Sequence, residues 1–242
     1  MNLLIDFGNS RLKWCLWQDN RVVEHDQIEV TALESGLRCI DWSIIQSVMI
    51  CSVADSELTQ AVSIYCDSLS APNCEVCEVD LDQLPPVISL GSTVRDQIGK
   101  DRVMAMLGAF KPDARYCVID AGTACTIDFV SSGEHQGGYI VPGLSLARSS
   151  LTSRTARIGQ IASKLYSAKL EPGTTTQQAV EHGVRLNLIA ICREALSNVQ
   201  PKPDFVLVTG GDAEWVAGHL PGNVQIRPNL VFEGIARFAQ RL

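Results

Sequence analysis

The 242-residue sequence contains no apolar run close to the ~20 residues that a bilayer-crossing helix needs. Its apolar start, Leu3-Leu4-Ile5, is ended by Asp6 well before it reaches the length of a signal-peptide core. A cytoplasmic protein with no membrane partner is expected. Positive charge is also in short supply: 20 Lys and Arg face 27 Asp and Glu, and the basic residues form no stripe. Nucleic acid is therefore not an expected partner. The four histidines, His25, His135, His182 and His219, lack metal-ligand spacing. The nine cysteines are odd in number and scattered, so no disulfide framework is expected. Cys74-x-x-Cys77 has no second ligand pair for zinc, and Glu75 to Val79 alternates like a strand.

Two common catalytic motifs are missing as well. Gly99-Lys100 is not a phosphate-binding Walker loop, because Val94 and Asp101 occupy the positions of its first glycine and its hydroxyl residue. Gly143-Leu144-Ser145-Leu146-Ala147 lacks the last glycine of a nucleophile elbow.

A composition of 46% hydrophobic and 19% charged residues suits a folded chain with one large domain or two small ones. Apolar periodicity predicts a three-stranded meander over Asn2–Val30, a strand at Val48–Val53, a helix at Asp55–Leu69 and a strand at Cys74–Val79. A helix is predicted over Val103–Phe110. The meander then recurs, with strands at Tyr116–Asp120, Cys125–Val130 and Gln136–Val141. Helices at Gly143–Leu151 and Thr174–Leu196, strands at Phe205–Val208 and Val224–Ile226, and a helix at Val231–Leu242 follow. Leu4-Ile5-Asp6-Phe7-Gly8-Asn9 matches Val118-Ile119-Asp120-Ala121-Gly122-Thr123, with the aspartates 114 positions apart. The repeat predicts two related α/β halves, residues 1–112 and 113–242.

Each copy places a carboxylate at a strand end and a glycine two residues later. Glycine admits close backbone approach, and Asn9, Ser10, Thr123 and Thr126 offer donors for phosphate oxygens. A carboxylate beside phosphate requires an intervening cation. One such turn is more often an ordinary hairpin. Two in equivalent places, with Gly210-Gly211 as a third glycine turn, favour a nucleotide phosphate site in a cleft between the halves. In Gly99-Lys100-Asp101-Arg102, Asp101 is placed to accept a hydroxyl proton and Arg102 to bind an anion; the same pattern also serves as a helix cap.

These segments, together with Gly137-Gly138-Tyr139-Ile140-Val141-Pro142-Gly143 and Thr209-Gly210-Gly211-Asp212, resemble the type III pantothenate kinase family in order and spacing. That family belongs to the actin-like ATPase superfamily, which includes acetate and sugar kinases. The resemblance implies two ribonuclease H-like halves, each a mixed sheet flanked by helices. It implies ATP with a divalent cation such as Mg2+, a monovalent cation (K+ or NH4+), pantothenate as substrate, and a homodimer. Asp6, Phe7, Gly8, Asn9, Ser10, Arg11, Leu12, Lys13 and Thr123 are then the expected ATP residues. Asp101 is the expected proton acceptor, and Asp120 the monovalent-cation ligand. Gly99, Lys100, Asp101, Arg102 and Thr176 would hold pantothenate. The family commonly has a tyrosine and a proline where this chain has Ser92 and Arg95, and Ser92 is carried as a substrate contact. The alternatives are a catalytically silent nucleotide-binding regulator of the same fold and a superfamily kinase for another small hydroxylated substrate.

Overall fold

Strand pairing organises the chain twice in one pattern. The computed structural model describes residues 1–54, 56–69, 75–91, 95, 97–154 and 170–240. In the first half, β1 (Asn2–Phe7), β2 (Arg11–Gln18) and β3 (Arg21–Glu29) form an antiparallel meander. A short helix α1 (Leu33–Leu37) leads to β4 (Ser47–Ser52), and α2 (Ser56–Leu69) leads to β5 (Glu75–Glu78). The sheet order is β3-β2-β1-β4-β5, with β1, β4 and β5 parallel. Helix α3 (Lys100–Ala109) follows.

The second half repeats the arrangement. Its meander is β6 (Arg115–Ala121), β7 (Ala124–Ser131) and β8 (Glu134–Pro142). Helices α4 (Leu144–Arg154) and α5 (Thr176–Asn198) precede β9 (Phe205–Thr209), and α6 (Ala213–Ala217) precedes β10 (Val224–Ile226). The order β10-β9-β6-β7-β8 again has the meander on one side and parallel strands on the other. The chain ends with α7 (Leu230–Ala239).

Local sequence explains much of this. Positive φ at Asp19 and Asn20, and at Ser132 and Gly133, makes the two-residue turns whose twist suits hairpins. The central strand β1 is buried from Leu3 to Phe7, and β6 from Tyr116 to Ile119. Thr175 caps α5, its hydroxyl accepting from Gln178 N at 3.2 Å while Gln178 Oε1 accepts from Thr174 N at 3.0 Å. The helix therefore begins two residues later than its apolar spacing predicts.

The two compact units are Met1–Pro112 with Asn229–Leu242, and Asp113–Pro228. The sequence placed the whole of 113–242 in the second half, whereas α7 packs in the first unit. Its partner is α3, buried on every side from Val103 to Ala109. Two glycines set that crossing. A Cβ at Gly108 would stand 2.2 Å from the Leu230 carbonyl oxygen, and one at Gly234 would stand 1.8 Å from that of Met104. Arg237 of α7 then donates from Nη1 to the carbonyls of Leu107 and Phe110, at 2.8 and 3.0 Å, closing the carboxyl end of α3. Gly108→Ala and Gly234→Ala are each expected to destabilise the protein by about 1–3 kcal/mol or more in denaturant unfolding, because backbone must move. Gly183→Ala on α5, with nothing near the added methyl, is expected to gain about 0.5–1 kcal/mol. Neutral outcomes at Gly108 and Gly234 would contradict the close crossing.

Candidate functional site

In the first unit, the carboxyl ends of parallel strands meet the amino end of α3, the edge where ligands collect in open α/β sheets. Val53 N donates to Phe7 O at 3.0 Å, binding the exit of β4 to that of β1. Gly99, the residue before α3, lies beside Val53: a Cβ there would be 3.7 Å from Val53 Cγ1. Lys100 Nζ donates to Glu78 Oε1 at 2.7 Å, joining α3 to the end of β5.

Asp6 is 9% exposed. Its cross-strand neighbour Lys13 brings Nζ to 3.9 Å from Oδ2. On the other side of β1, Asp6 is in register with Cys51 of β4. Burial pushes the Cys51 thiol well up, and Asp6 and then Asp101 push it further, with Lys100 opposing and Glu78 adding. Three carboxylates and an ammonium therefore act electrostatically on one buried sulfur. The Asp101 carboxylate folds over the first turn of α3, where Oδ1 accepts from Arg102 N at 2.8 Å and the helix end favours negative charge. A side chain at position 99 would push this carboxylate aside, since a Cβ there would lie 2.5 Å from Asp101 Oδ1.

The expected ligand-lining residues divide by role. Gly8 N donates to Arg11 O at 2.9 Å, which closes the turn and leaves Asn9 and Ser10 exposed. Phe7 and Leu12 belong to the apolar core and are 0% exposed, so only their main chain can meet a ligand. Arg11 Nε donates to Glu29 Oε1 at 2.7 Å and its Nη1 to Gln27 Oε1 at 3.4 Å, aligning it with β3. Ser92 lies outside the described residues.

The second unit carries the matching turn. Gly122 N donates to Ala124 O at 3.1 Å, and Gly143 N to Thr123 O at 3.0 Å, leaving Thr123 exposed. The approach is too close for a side chain, because a Cβ at Gly143 would sit 2.1 Å from Gly122 O. Gly210, at φ 92°, lies against Asp120, where a Cβ would stand 2.5 Å from Oδ1. Asp212 N donates to Ala121 O at 3.0 Å and fixes that turn to β6. The cross-strand neighbour of Asp120 is neutral Thr126, at the place that supplies Lys13 to Asp6. A carboxylate with glycine-cleared surroundings and a neutral neighbour fits a hard cation. No group of three or more acidic, histidine or cysteine side chains gathers there among the described residues. A cation at Asp120 would draw its other ligands from carbonyls, phosphate or water. Thr176 is exposed in the first turn of α5.

Several contributors were not picked out from the sequence as site residues: Cys51, Glu78, Gly143, and the paired charges on α4 and α5. Gly143 had a signal, standing at the end of a strand and ahead of a helix. The others depend on pairings between distant segments.

A sequence model of the family described as type III pantothenate kinase matches residues 2–198. The chain belongs to the type III pantothenate kinase family. It is 37% identical over 247 residues to the type III pantothenate kinase of Pseudomonas syringae pv. syringae, covering 98% of each chain. It is 32% identical over 244 residues to that of Acinetobacter baylyi, covering 98% of this chain and 97% of the relative. Among solved structures it is similar to a Campylobacter jejuni protein provisionally described as a Baf-family transcriptional activator, with TM-score 0.61, 19% identity, and 99% and 98% of the two chains covered. A Sinorhizobium meliloti protein, provisionally described as a 2-dehydro-3-deoxygalactonokinase, gives TM-score 0.60 at 13% identity, with 100% of this chain and 99% of that one covered. These likenesses concern the fold, which is the actin-like ATPase fold that the sequence led us to expect. The family match takes in both aspartate turns, Gly99–Arg102 and Thr176.

Proposed function

We propose that this chain transfers the γ-phosphoryl group of ATP to the primary hydroxyl of pantothenate, giving 4′-phosphopantothenate and ADP, the first committed step towards coenzyme A. The observation that carries this reading is the family match, with the aspartate turn after β1 and the Gly99–Asp101 start of α3 both beside the exit of β4, where Val53 N is bonded to Phe7 O and Gly99 lies against Val53.

Phosphoryl transfer asks for positioning and charge stabilisation more than covalent chemistry. Asp101 accepts the hydroxyl proton as the oxygen attacks in line, held for that role by Gly99 and the first turn of α3. Arg102 and Thr176 bind and orient pantothenate. The exposed Asn9 and Ser10 and the backbone of the Asp6–Lys13 segment hold ATP phosphates, with Thr123 contacting the nucleotide. Lys13 offsets the charge of Asp6. A divalent cation with ATP, and K+ or NH4+ at Asp120, supply countercharge to the phosphates when bound. A cytoplasmic location belongs to the same proposal.

A homodimer is part of the proposal. Tyr139 and Ile140 on edge strand β8, Leu146 and Leu151 on α4, and Leu186 on α5 are exposed apolar residues of one unit, which supports self-association. Ile140→Glu is expected to convert a dimer to a monomer in light scattering. A wild type that is already monomeric at micromolar concentration would remove the dimer from the account.

Asp101→Asn is expected to lower turnover about 10²–10⁴-fold while leaving ATP binding within a few-fold. Gly99→Ala, which displaces the same carboxylate, is expected to cost about 10–100-fold in turnover with little change in thermal stability. A coupled ADP-release assay, with and without K+, reads both. Near-normal turnover in Asp101→Asn would reject the proton-acceptor role.

A further inference from the structure

Lys100 is the first residue of α3 and the neighbour of Asp101, and the sequence placed it among the substrate contacts. In the structure its ammonium is already engaged. Nζ donates to Glu78 Oε1 at 2.7 Å, in an ion pair whose side chains are 30% exposed at Lys100 and 47% at Glu78. The main chain of Glu78 is set by its sheet. It is the last residue of β5, in register with Ile50 of β4, and the residue after it, Val79, donates its N–H to Ile50 O at 2.8 Å. The pair therefore runs from the carboxyl end of the parallel strands to the first turn of α3.

That turn is where placement matters for the proposed chemistry. The crossing with α7 grips α3 at Met104 and Gly108, and Arg237 holds the carbonyls of Leu107 and Phe110, all further along the helix. At the amino end, Asp101 Oδ1 accepts from Arg102 N at 2.8 Å and Val103 N donates to Gly99 O at 3.3 Å, bonds that hold the turn to itself. The bond from Lys100 to Glu78 joins the turn to the sheet, beside the approach of Gly99 to Val53. An exposed ion pair adds little to the stability of a whole fold. Its effect here is local: fixing Lys100 fixes the adjoining residue, whose carboxylate has to meet a hydroxyl at hydrogen-bond distance.

We propose that Glu78 and Lys100 are positioning residues: their bond sets where the first turn of α3 stands against the sheet and so aims the Asp101 carboxylate, and the Lys100 ammonium makes no contact with pantothenate. The proposal rests on the proton-acceptor reading of Asp101 given above. The rival is the role that the family resemblance implies, in which Lys100 binds the substrate and Glu78 is incidental.

Glu78→Gln, Lys100→Met and the double variant are compared with the wild type by ADP release with pantothenate and by thermal unfolding. Each single variant is expected to lower kcat about three- to tenfold, with KM for pantothenate and ATP within about twofold and Tm within about 3 °C. The double variant is expected to be no slower than the singles, because the same bond is lost in all three. Lys100→Arg, which keeps a charged donor for Glu78, is expected to stay within about twofold of wild type. Wild-type kcat in Glu78→Gln, a KM for pantothenate raised in Lys100→Met alone, or additive losses in the double variant would overturn the proposal. If Glu78→Gln does not fold, Lys100→Met read against Lys100→Arg decides by the same split of kcat from KM. Amide exchange at Arg102 and Val103, followed by NMR, reads the tie without turnover. It is expected to quicken about threefold or more in both single variants while the amides of α7 stay as they were, and unaltered exchange would overturn the proposal. Wild-type protein that transfers nothing to pantothenate would defeat the proposed reaction and leave the exchange experiment to decide. Near-normal turnover in Asp101→Asn would remove the proton acceptor itself, whereas wild-type kcat in Glu78→Gln beside an inactive Asp101→Asn would remove only the positioning pair.

Discussion

Asp6 and Asp120 stand where the central strand leaves each sheet, with their carboxylates partly withdrawn from water, and much of the structure follows from that placement. A charge in such a position needs compensation close by. The two units arrange it differently. In the first, Lys13 occupies the cross-strand position and Lys100 pairs with Glu78 at the end of β5. In the second, the cross-strand position is neutral Thr126, and Gly210 lies too close to the carboxylate to carry a side chain. One repeat has a cationic side chain across from its aspartate, and the other has a neutral hydroxyl there.

Holding Asp101 in register with this arrangement requires a rigid mount. Helix α3 provides it, since its amino end carries Asp101 while the rest is buried on all sides against α7 and β4. Gly108 and Gly234 let the two helices approach to backbone contact, and Arg237 ties down the far end. Helix α7 thus supports the proposed chemistry from a distance, by fixing the helix on which the proposed proton acceptor stands.

The repeat was legible because its signals are local: apolar strands of period two, positive-φ turn residues, and an aspartate two residues before a glycine. The meanders and the long helices follow from these. The placement of α7 was not legible, because its amphipathic pattern says which face is buried and not against what. Nothing in the spacing around Gly108 indicates that its neighbour is Leu230. Helix α6 is five residues long and gives too little periodicity to be read. Lys100 in the Gly-x-Asp-Arg segment looked like a substrate contact, and its tie to Glu78 appears only when β5 and α3 are brought together. The pairing of Arg148 with Glu181 and Arg185 was not legible, because it joins side chains of two helices that only the fold brings together.

The account as a whole stands on phosphoryl transfer to pantothenate, and phosphorus NMR follows that directly. With purified chain, ATP, Mg2+, K+ and pantothenate, the γ-phosphate signal is predicted to decline as a phosphomonoester signal rises in step with ADP. ADP accompanied only by inorganic phosphate, or an ATP spectrum that pantothenate leaves unchanged, would contradict it.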